Sequence, residues 1–424
     1  MAKYQAYAEY KDSGVQWLGE IPSHWKLTRL KFLAKIRNGQ DYKHVETETG
    51  FPVMGSGGQF TFSSTYMFNR PSVLLGRKGT IDKPLYIDEP FWTVDTMYYT
   101  EVNKDIDVKY FYYLSKTILF NRYSTNTALP SMTQENLNNF EFSVPPSVFE
   151  RNQIRNFLDH ETAKIDHLIE QQQQLIELLK EKRQAVISHA VTKGLDPNVP
   201  MKDSGVEWLG EVPEHWKIIK GGYIGTLFGS ESIQEDDVTD QGSLPFIKVS
   251  SLSAETFKLS NIDWFVSERR AKFCKAEKNY IVFPKRGAAI FTNKVNVIEV
   301  DSVIDPNLMG WKIGKQGITE YFALLLKTRG LDDIADVSTV PQINNKHIAP
   351  EKFPLPPLSE QCEIVKFVGM ELTKFDEMIL KAESAIQLMQ ERRTALISAA
   401  VTGKIDVRHW QAPTVAEAHP ELSA

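Results

Sequence analysis

Two stretches of the chain, 150–192 and 360–402, carry apolar residues at helical spacing and contain no proline and, apart from Gly369, no glycine. Pro145-Pro146 and Pro356-Pro357 stand just before them, and Gly194 and Gly403 just after, where helix boundaries favour those residues. About 40 residues in each stretch predict helices roughly 60 Å long. Alternating steps of four and three from Ile154 visit Leu158, Glu161, Ile165, Leu168, Gln172, Leu175, Leu179, Lys182, Val186 and His189. The same walk from Ile364 visits Val368, Glu371, Phe375, Met378, Ala382, Ala385, Met389, Arg392, Leu396 and Ala399. A period near 3.5 held over several heptads predicts a coiled-coil seam. The seam carries charges at matching places in both helices. Antiparallel pairing of the two then sets Glu161 against Arg392 and Lys182 against Glu371. Phe157, Ile176, Ile187, Phe367, Ile379 and Ile397 lie off the seam and predict a second buried face.

Elsewhere the pattern is short. β-prone runs at 52–54, 72–75, 85–87 and 93–100 alternate with glycine and charged turns, and similar runs recur at 245–249, 280–283 and 295–300. Short helical stretches follow near 110–119 and 320–326. Each half therefore reads as an α+β module of twisted strands and short helices.

Self-comparison explains the symmetry. Residues 11–25 read KDSGVQWLGEIPSHW and residues 202–216 read KDSGVEWLGEVPEHW. Residues 126–137 (NTALPSMTQENL) correspond to 337–348 (VSTVPQINNKHI), and 181–196 (EKRQAVISHAVTKGLD) to 391–406 (ERRTALISAAVTGKID). A domain-sized period marks a duplication and not a solenoid. The frame repeats while the residues between the matched blocks do not. The expected organisation is a first globular module at 1–148, a long helix at 149–194, a second module at 195–358, a second long helix at 359–406 and a flexible tail at 407–424.

Composition narrows the function. The chain has 424 residues, 42% of them hydrophobic and 24% charged, and carries a net charge of −5. Mild acidity argues against a surface coated in nucleic acid and leaves room for local basic loops. The two cysteines, Cys274 and Cys362, lie far apart, so neither a disulfide framework nor a zinc-spaced cluster is expected. No apolar run of about 18 residues predicts a membrane span, and the first ten residues lack a signal-peptide core. A reducing cytoplasm is the expected compartment.

Catalytic patterns are missing. There is no phosphate loop with its lysine and no methyltransferase signature, and no nucleophile and base recur in both halves. Gly55-Ser56-Gly57-Gly58 reads as a flexible loop. Asp236-Asp237 and Asp332-Asp333 read as solvated charges, and His24 and His215 as structural residues of the repeated opener. Two features suit DNA. Arg77-Lys78-Gly79 and Lys285-Arg286-Gly287 place paired cations and a glycine after equivalent apolar strands. A solvated turn is the plainer reading of either alone. The polar loop before each Pro-Pro carries Ser124, Thr125, Asn126, Thr127, Gln134 and Asn136 in one copy. The other copy carries Ser338, Thr339, Gln342, Asn344 and Asn345. Such side chains read base edges and also serve as ordinary caps. No catalytic or metal-binding residue is assigned.

The two DSGVxWLGExPxHW openers, the Pro-Pro turns and the E[KR]RxA[VL]ISxAVT helix ends resemble the specificity subunit of type I restriction-modification systems. The resemblance runs from Lys11 to about Asp406. It implies an α+β chain with two target recognition domains joined by two long antiparallel coiled-coil helices, arranged as a pseudo-twofold internal repeat. Each domain would read one half of a bipartite, asymmetric site on double-stranded DNA. The helices would space the domains and dock two modification subunits. Those subunits would hold S-adenosylmethionine and methylate adenine, while restriction subunits would bring ATP, Mg and nuclease activity; this chain would bind no cofactor itself. The competing reading is a coiled-coil scaffold without sequence preference.

Overall fold

The computed structural model describes residues 4–123, 130–230, 233–336 and 340–412. The chain divides into two units. One comprises Met1–Gln173 with Glu383–Ala424, the other Gln174–Ala382. The units therefore do not follow the consecutive segments expected from the sequence. Each takes the start of one long helix and the end of the other.

The first unit opens with a hairpin of Tyr10–Asp12 and Glu20–Pro22. The Asp12 carboxylate accepts the Gly14 N–H at 3.0 Å and shapes its turn. Four antiparallel strands form one sheet in the order Ala34–Asn38, Met97–Val102, Ser72–Gly76, Leu85–Ile87. A second sheet runs Trp92–Thr93, Phe51–Gly55, Gly58–Ser63, Glu46–Thr47, and its first pair is parallel. Gly55–Gly58 is thus the turn of a hairpin. A helix at Val108–Ser115, capped by the Asp107 side chain, packs its aromatic face into the core. That core joins Trp25, Tyr110, Phe111 and Phe142 to Ile154, Phe157 and Leu158 of the first long helix and to Ile397, Ala400 and Val407 at the end of the second.

The second unit repeats this topology. Its hairpin is Met201–Asp203 with Glu211–Pro213. One sheet runs Gly225–Phe228, Leu308–Ile313, Tyr280–Pro284, Asn296–Ile298. The other runs Val238–Thr239, Phe265–Val266, Leu244–Ile247, Val303–Ile304, and it too ends in a parallel pair. The helix Thr319–Arg329 matches Val108–Ser115. The core joins Trp216, Trp311, Tyr321 and Phe353 to Ile187, Val191, Ile364 and Val368. The residues between the matched blocks have diverged in sequence while keeping one fold, because alternation and burial can be met by many apolar side chains.

The long helices span Val148–Lys193 and Leu358–Val401. Each starts on an acidic anchor. Glu150 is buried and accepts Trp25 Nε1 at 2.9 Å, Tyr7 Oη at 2.8 Å and His24 Nε2 at 3.0 Å. Glu360 accepts Trp216 Nε1 at 2.8 Å and His215 Nε2 at 2.6 Å. The His-Trp pair that closes each opener is therefore a clasp on the first helical turn. Each helix ends on a left-handed glycine. Gly194 (φ 79°) lies against Trp216, and Gly403 (φ 75°) against Pro22 and Trp25. Within the segment expected as a tail, Val407 is buried and the Trp410 ring meets Phe157 edge-on at 5.5 Å, while His409, Gln411 and Ala412 are exposed. Residues 413–424 lie outside the described ones.

The helices pair, but in a different register from the heptad count. The inward stripe of the first is Ile154, Leu158, Thr162, Ile165, Ile169, Gln172, Ile176, Leu179, Arg183, Ile187 and Ala190. The second repeats it at Ile364, Val368, Leu372, Phe375, Ile379, Ala382, Ile386, Met389, Arg393, Ile397 and Ala400. Leu168 and Leu175, expected inside, are 39% and 42% exposed. In the first unit Arg393 pairs with Asp166, Nε to Oδ1 at 2.8 Å and Nη2 to Oδ2 at 3.1 Å. In the second unit Arg183 Nη1 meets Asp376 Oδ1 at 2.9 Å. Glu161, Lys182, Glu371 and Arg392 are not the partners. Glu161 accepts Tyr4 Oη at 3.1 Å and Glu371 takes Lys374 at 2.6 Å, while Lys182 and Arg392 are exposed. Burial and Glu161 push the Tyr4 phenol up to about 12, with the charge of Arg392 opposing.

Candidate nucleic-acid interface

The strand Ser72–Gly76 is buried throughout and delivers Arg77 and Lys78 to one end of its sheet. The turn is then locked onto the polar loop. Gly79 N–H donates to Pro130 O at 2.9 Å, Met132 N–H donates to Arg77 O at 2.9 Å, and Lys78 bridges to Ser131. Gly79 has φ 82°, a conformation that a side chain would strain. Arg77 is half-buried: its guanidinium donates to Asp95 O at 3.2 Å and lies 5.9 Å from the Tyr98 ring. Lys78 is exposed.

The second unit builds the same joint. Tyr280–Pro284 is buried throughout and ends at Lys285 and Arg286. Gly287 (φ 77°) N–H donates to Pro341 O at 2.9 Å, Ile343 N–H donates to Lys285 O at 2.8 Å, and Arg286 bridges to Gln342. Lys285 is half-buried and Arg286 exposed, matching Arg77 and Lys78. In both units the two DNA candidates from the sequence therefore share one rim. A solvated turn would not require these long-range hydrogen bonds. In each joint one cation positions the turn and its neighbour faces solvent.

The polar loop divides between structure and surface. Thr133 caps the helix Gln134–Asn139 by accepting Asn136 N–H at 3.1 Å. Asn344 starts Asn345–Ile348, and its N–H donates to His347 Nδ1 at 3.1 Å. Asn344 is thus occupied in a cap, although exposed. Gln342 bridges Asp336 as well as Arg286 through its backbone. Thr125, Asn126, Thr127, Ser338 and Thr339, with Ser124, lie outside the described residues.

Other residues reach these rims without a sequence signal. In the first unit Gln40 N–H donates to Thr93 O at 2.9 Å, Gln134 Nε2 to Asn38 Oδ1 at 2.9 Å, and Val94 N–H to Met54 O at 3.2 Å. These bonds tie Asn38 to Gln134, and tie Gln40 and the strand that leads into the Gly55–Gly58 turn to residues 93–94, which precede the Asp95 carbonyl that Arg77 meets. In the second unit Lys285 N–H donates to Asn307 O and Asp305 N–H to Ile247 O, both at 2.8 Å. They tie the strand ends before Lys248 and at Lys285 to the same 305–307 turn. Lys248 Nζ lies 3.9 Å from the centroid of Trp264, a partly exposed ring. A hairpin of small residues in one unit is thus replaced by a Lys–Trp stack in the other.

Among the described residues no group of three or more His, Cys, Asp or Glu side chains could hold a metal, and no helix is long and apolar enough to cross a membrane. Asp237 is held below the usual carboxylate range by hydrogen bonds from Ser267 and Arg269, and Asp333 by Arg329. These are structural ion pairs.

Comparison with known proteins agrees with this geometry. The family model described as the type I restriction modification DNA specificity domain matches residues 22–178 and again 213–388. A Methanocaldococcus jannaschii protein named as the MjaX specificity subunit of a type I restriction enzyme is 21% identical, over 92% of this chain and 96% of its own. A chain from a structural study of assembly and conformational transition in a type I R-M system superposes with a TM-score of 0.64 at 14% identity, covering 90% of this chain and 98% of that one. The HsdS subunit from Thermoanaerobacter tengcongensis gives 0.51 at 12% identity, with 93% and 100% covered. The twice-matched domain, on a duplicated frame with two equivalent cation-and-amide rims, shows that this chain belongs to the type I restriction-modification DNA specificity family.

Proposed function

We propose that each unit reads one half of a bipartite, asymmetric site on double-stranded DNA through its cation-turn rim. One observation carries this reading: the same hydrogen bonds join the cation turn to the polar loop in both units, and the side chains around that joint differ. A shared backbone frame suits phosphate contacts, which position, and differing rim side chains suit base contacts, which specify. Lys78 and Arg286 are the phosphate or guanine ligands. Asn38, Gln40 and Gln134 on one rim, and Lys248 with Trp264 on the other, are the sequence-reading groups.

The paired helices set the half-site spacing and dock two modification subunits. Support comes from apolar residues left outside at matching places: Leu178 and Leu388 are 61% and 64% exposed, and Leu168 and Met378 are partly so. In this reading the chain catalyses nothing and acts in the cytoplasm. Adenine methylation with S-adenosylmethionine belongs to the modification subunits, and ATP- and Mg-dependent translocation and cleavage belong to the restriction subunits. The test is selection from random double-stranded DNA by the assembled complex. A two-part motif with a fixed unread gap is expected. Retention of DNA with no enriched motif would instead identify a scaffold.

A further inference from the structure

Each unit exposes one large aromatic ring at the same place in the repeat. Phe32 is 63% exposed and Tyr223 77%. Each follows a strand of the two-stranded pair behind the opener, Lys26–Arg29 with Glu141–Val144 and Lys217–Lys220 with Lys352–Leu355. The backbone carrying each ring is tied down by the loop after a central sheet strand. Asn103 donates its backbone N–H to Leu33 O at 2.9 Å and its Nδ2 to Phe32 O at 2.7 Å. In the other unit Gly314 N–H donates to Ile224 O at 2.8 Å, and Gln316 Nε2 donates to Tyr223 O at 2.5 Å. An apolar ring in water is unfavourable, and neither ring is needed by the core. A fixed backbone removes part of the ordering cost of binding, the condition under which an aromatic anchors an interface.

Position separates these rings from the DNA rims. Ala34 pairs with Val102 and Asn38 with Tyr98. Phe32 lies just before the first of these pairs. The cation turn, tied to Thr96, lies beyond the other. At about 3.3 Å per residue the strand between them spans roughly 16 Å. Their surroundings are cationic. Lys31 Nζ is 5.3 Å from the Phe32 ring, and exposed Lys104 follows Asn103. Near Tyr223, Lys220 faces Lys352 directly across the strand pair, both exposed, and exposed Lys315 precedes Gln316. Like charges placed opposite one another are unfavourable until an acidic group meets them.

We infer that Phe32 and Tyr223 are matched docking anchors, each received by an apolar, carboxylate-rimmed pocket on a protein partner that binds once per unit. Under the function proposed above, on which this inference rests, that partner is the modification subunit, engaged here in addition to the helices. The experiment is native mass spectrometry of the full chain co-expressed with its modification subunit, alongside binding titrations. Phe32→Ala and Tyr223→Ala are each expected to leave one modification subunit where the wild type holds two, and the double variant none. Affinity at the altered unit should fall by more than about tenfold. Phe32→Tyr and Tyr223→Phe should keep both copies. Unchanged melting temperatures would show that the exposed rings do not serve folding. An unaltered stoichiometry and affinity in the double variant overturns the inference. So does a change confined to self-association of the chain, or to DNA affinity. A wild-type complex that holds modification subunits but selects no DNA motif would sink the proposed function while leaving the anchors standing; a wild type that holds none would sink the anchors too.

Discussion

Arg393 grips Asp166 with two nitrogens, and Arg183 meets Asp376 at the duplicate position, since 376 − 166 and 393 − 183 are both 210. One antiparallel register thus serves both ion pairs. The pairs are partly exposed, so each is worth up to about 1 kcal/mol. Asp166→Arg should lower stability by about that amount, and adding Arg393→Asp should restore most of it. Urea unfolding of the three variants checks this. A double variant no better than the single one would mean that the ion pair does not fix the register.

The clasps on the two helix starts are unequal. Glu150 is almost fully buried beneath three donors, whereas a third of the Glu360 side chain is exposed and it has two. Glu150→Ala strands the Trp25 and Tyr7 donors and should cost about 3–5 kcal/mol. Glu360→Ala removes a carboxylate that is already partly solvated and should cost about 1–2 kcal/mol. Thermal melts of both variants measure the difference; equal losses would contradict the unequal burial.

Lys116 and Lys327 occupy matching places in the repeat: Lys116 follows the helix Val108–Ser115, and Lys327 lies in the last turn of Thr319–Arg329. Burial lowers both to about 8, with Arg393 and Arg183 respectively adding to the effect. Unfolded, such a lysine keeps its proton to about 10.4. Between those values the unfolded chain binds more protons, so this group's contribution to stability rises with pH. Below pH 8 the burial cost is fully present, and above about 10.4 it is gone. The stability of Lys116→Met relative to the wild type should therefore fall as pH rises from 8 to 10. A pH-independent difference in denaturation midpoint would show that the lysine titrates normally.

Lys78 and Arg286 face solvent and are assigned to phosphate or guanine. If they serve phosphate, replacing both with alanine should weaken binding to every sequence and lower the log-affinity against log-salt slope by roughly 2. If either reads guanine, one position of the motif should relax instead. A binding series at several salt concentrations separates the two, and no effect on either quantity would remove these residues from the interface.

Much of this was legible in the chain. The duplicated opener, the Pro-Pro turns and the glycine-free runs gave both helices their boundaries, because those residues act through local backbone geometry. The strand runs around 72–76 and 280–284 were legible because burial on both faces leaves an unbroken apolar signal. Register was not. A seam counted at 3.5 visits ten further positions in 35 residues, whereas the observed stripe takes 36. The accumulated residue is about 100° of helix, enough to replace Leu175 with Ile176 and Lys182 with Arg183. The rims were half legible. The cation turns and polar loops were each visible, but their junction depends on hydrogen bonds between residues some fifty apart in sequence. Lys248 and Trp264 meet only through strand pairing, so neither stood out.

The central claim is that the two units read separate half-sites. It is tested most directly by mapping methylated adenines in cells that express the chain with its modification subunit. The comparison is between the wild type and a variant whose residues 36–142 come from a relative of different specificity. One half of the bipartite motif should change while the other half stays. A change in both halves, or a single continuous motif, would contradict the account.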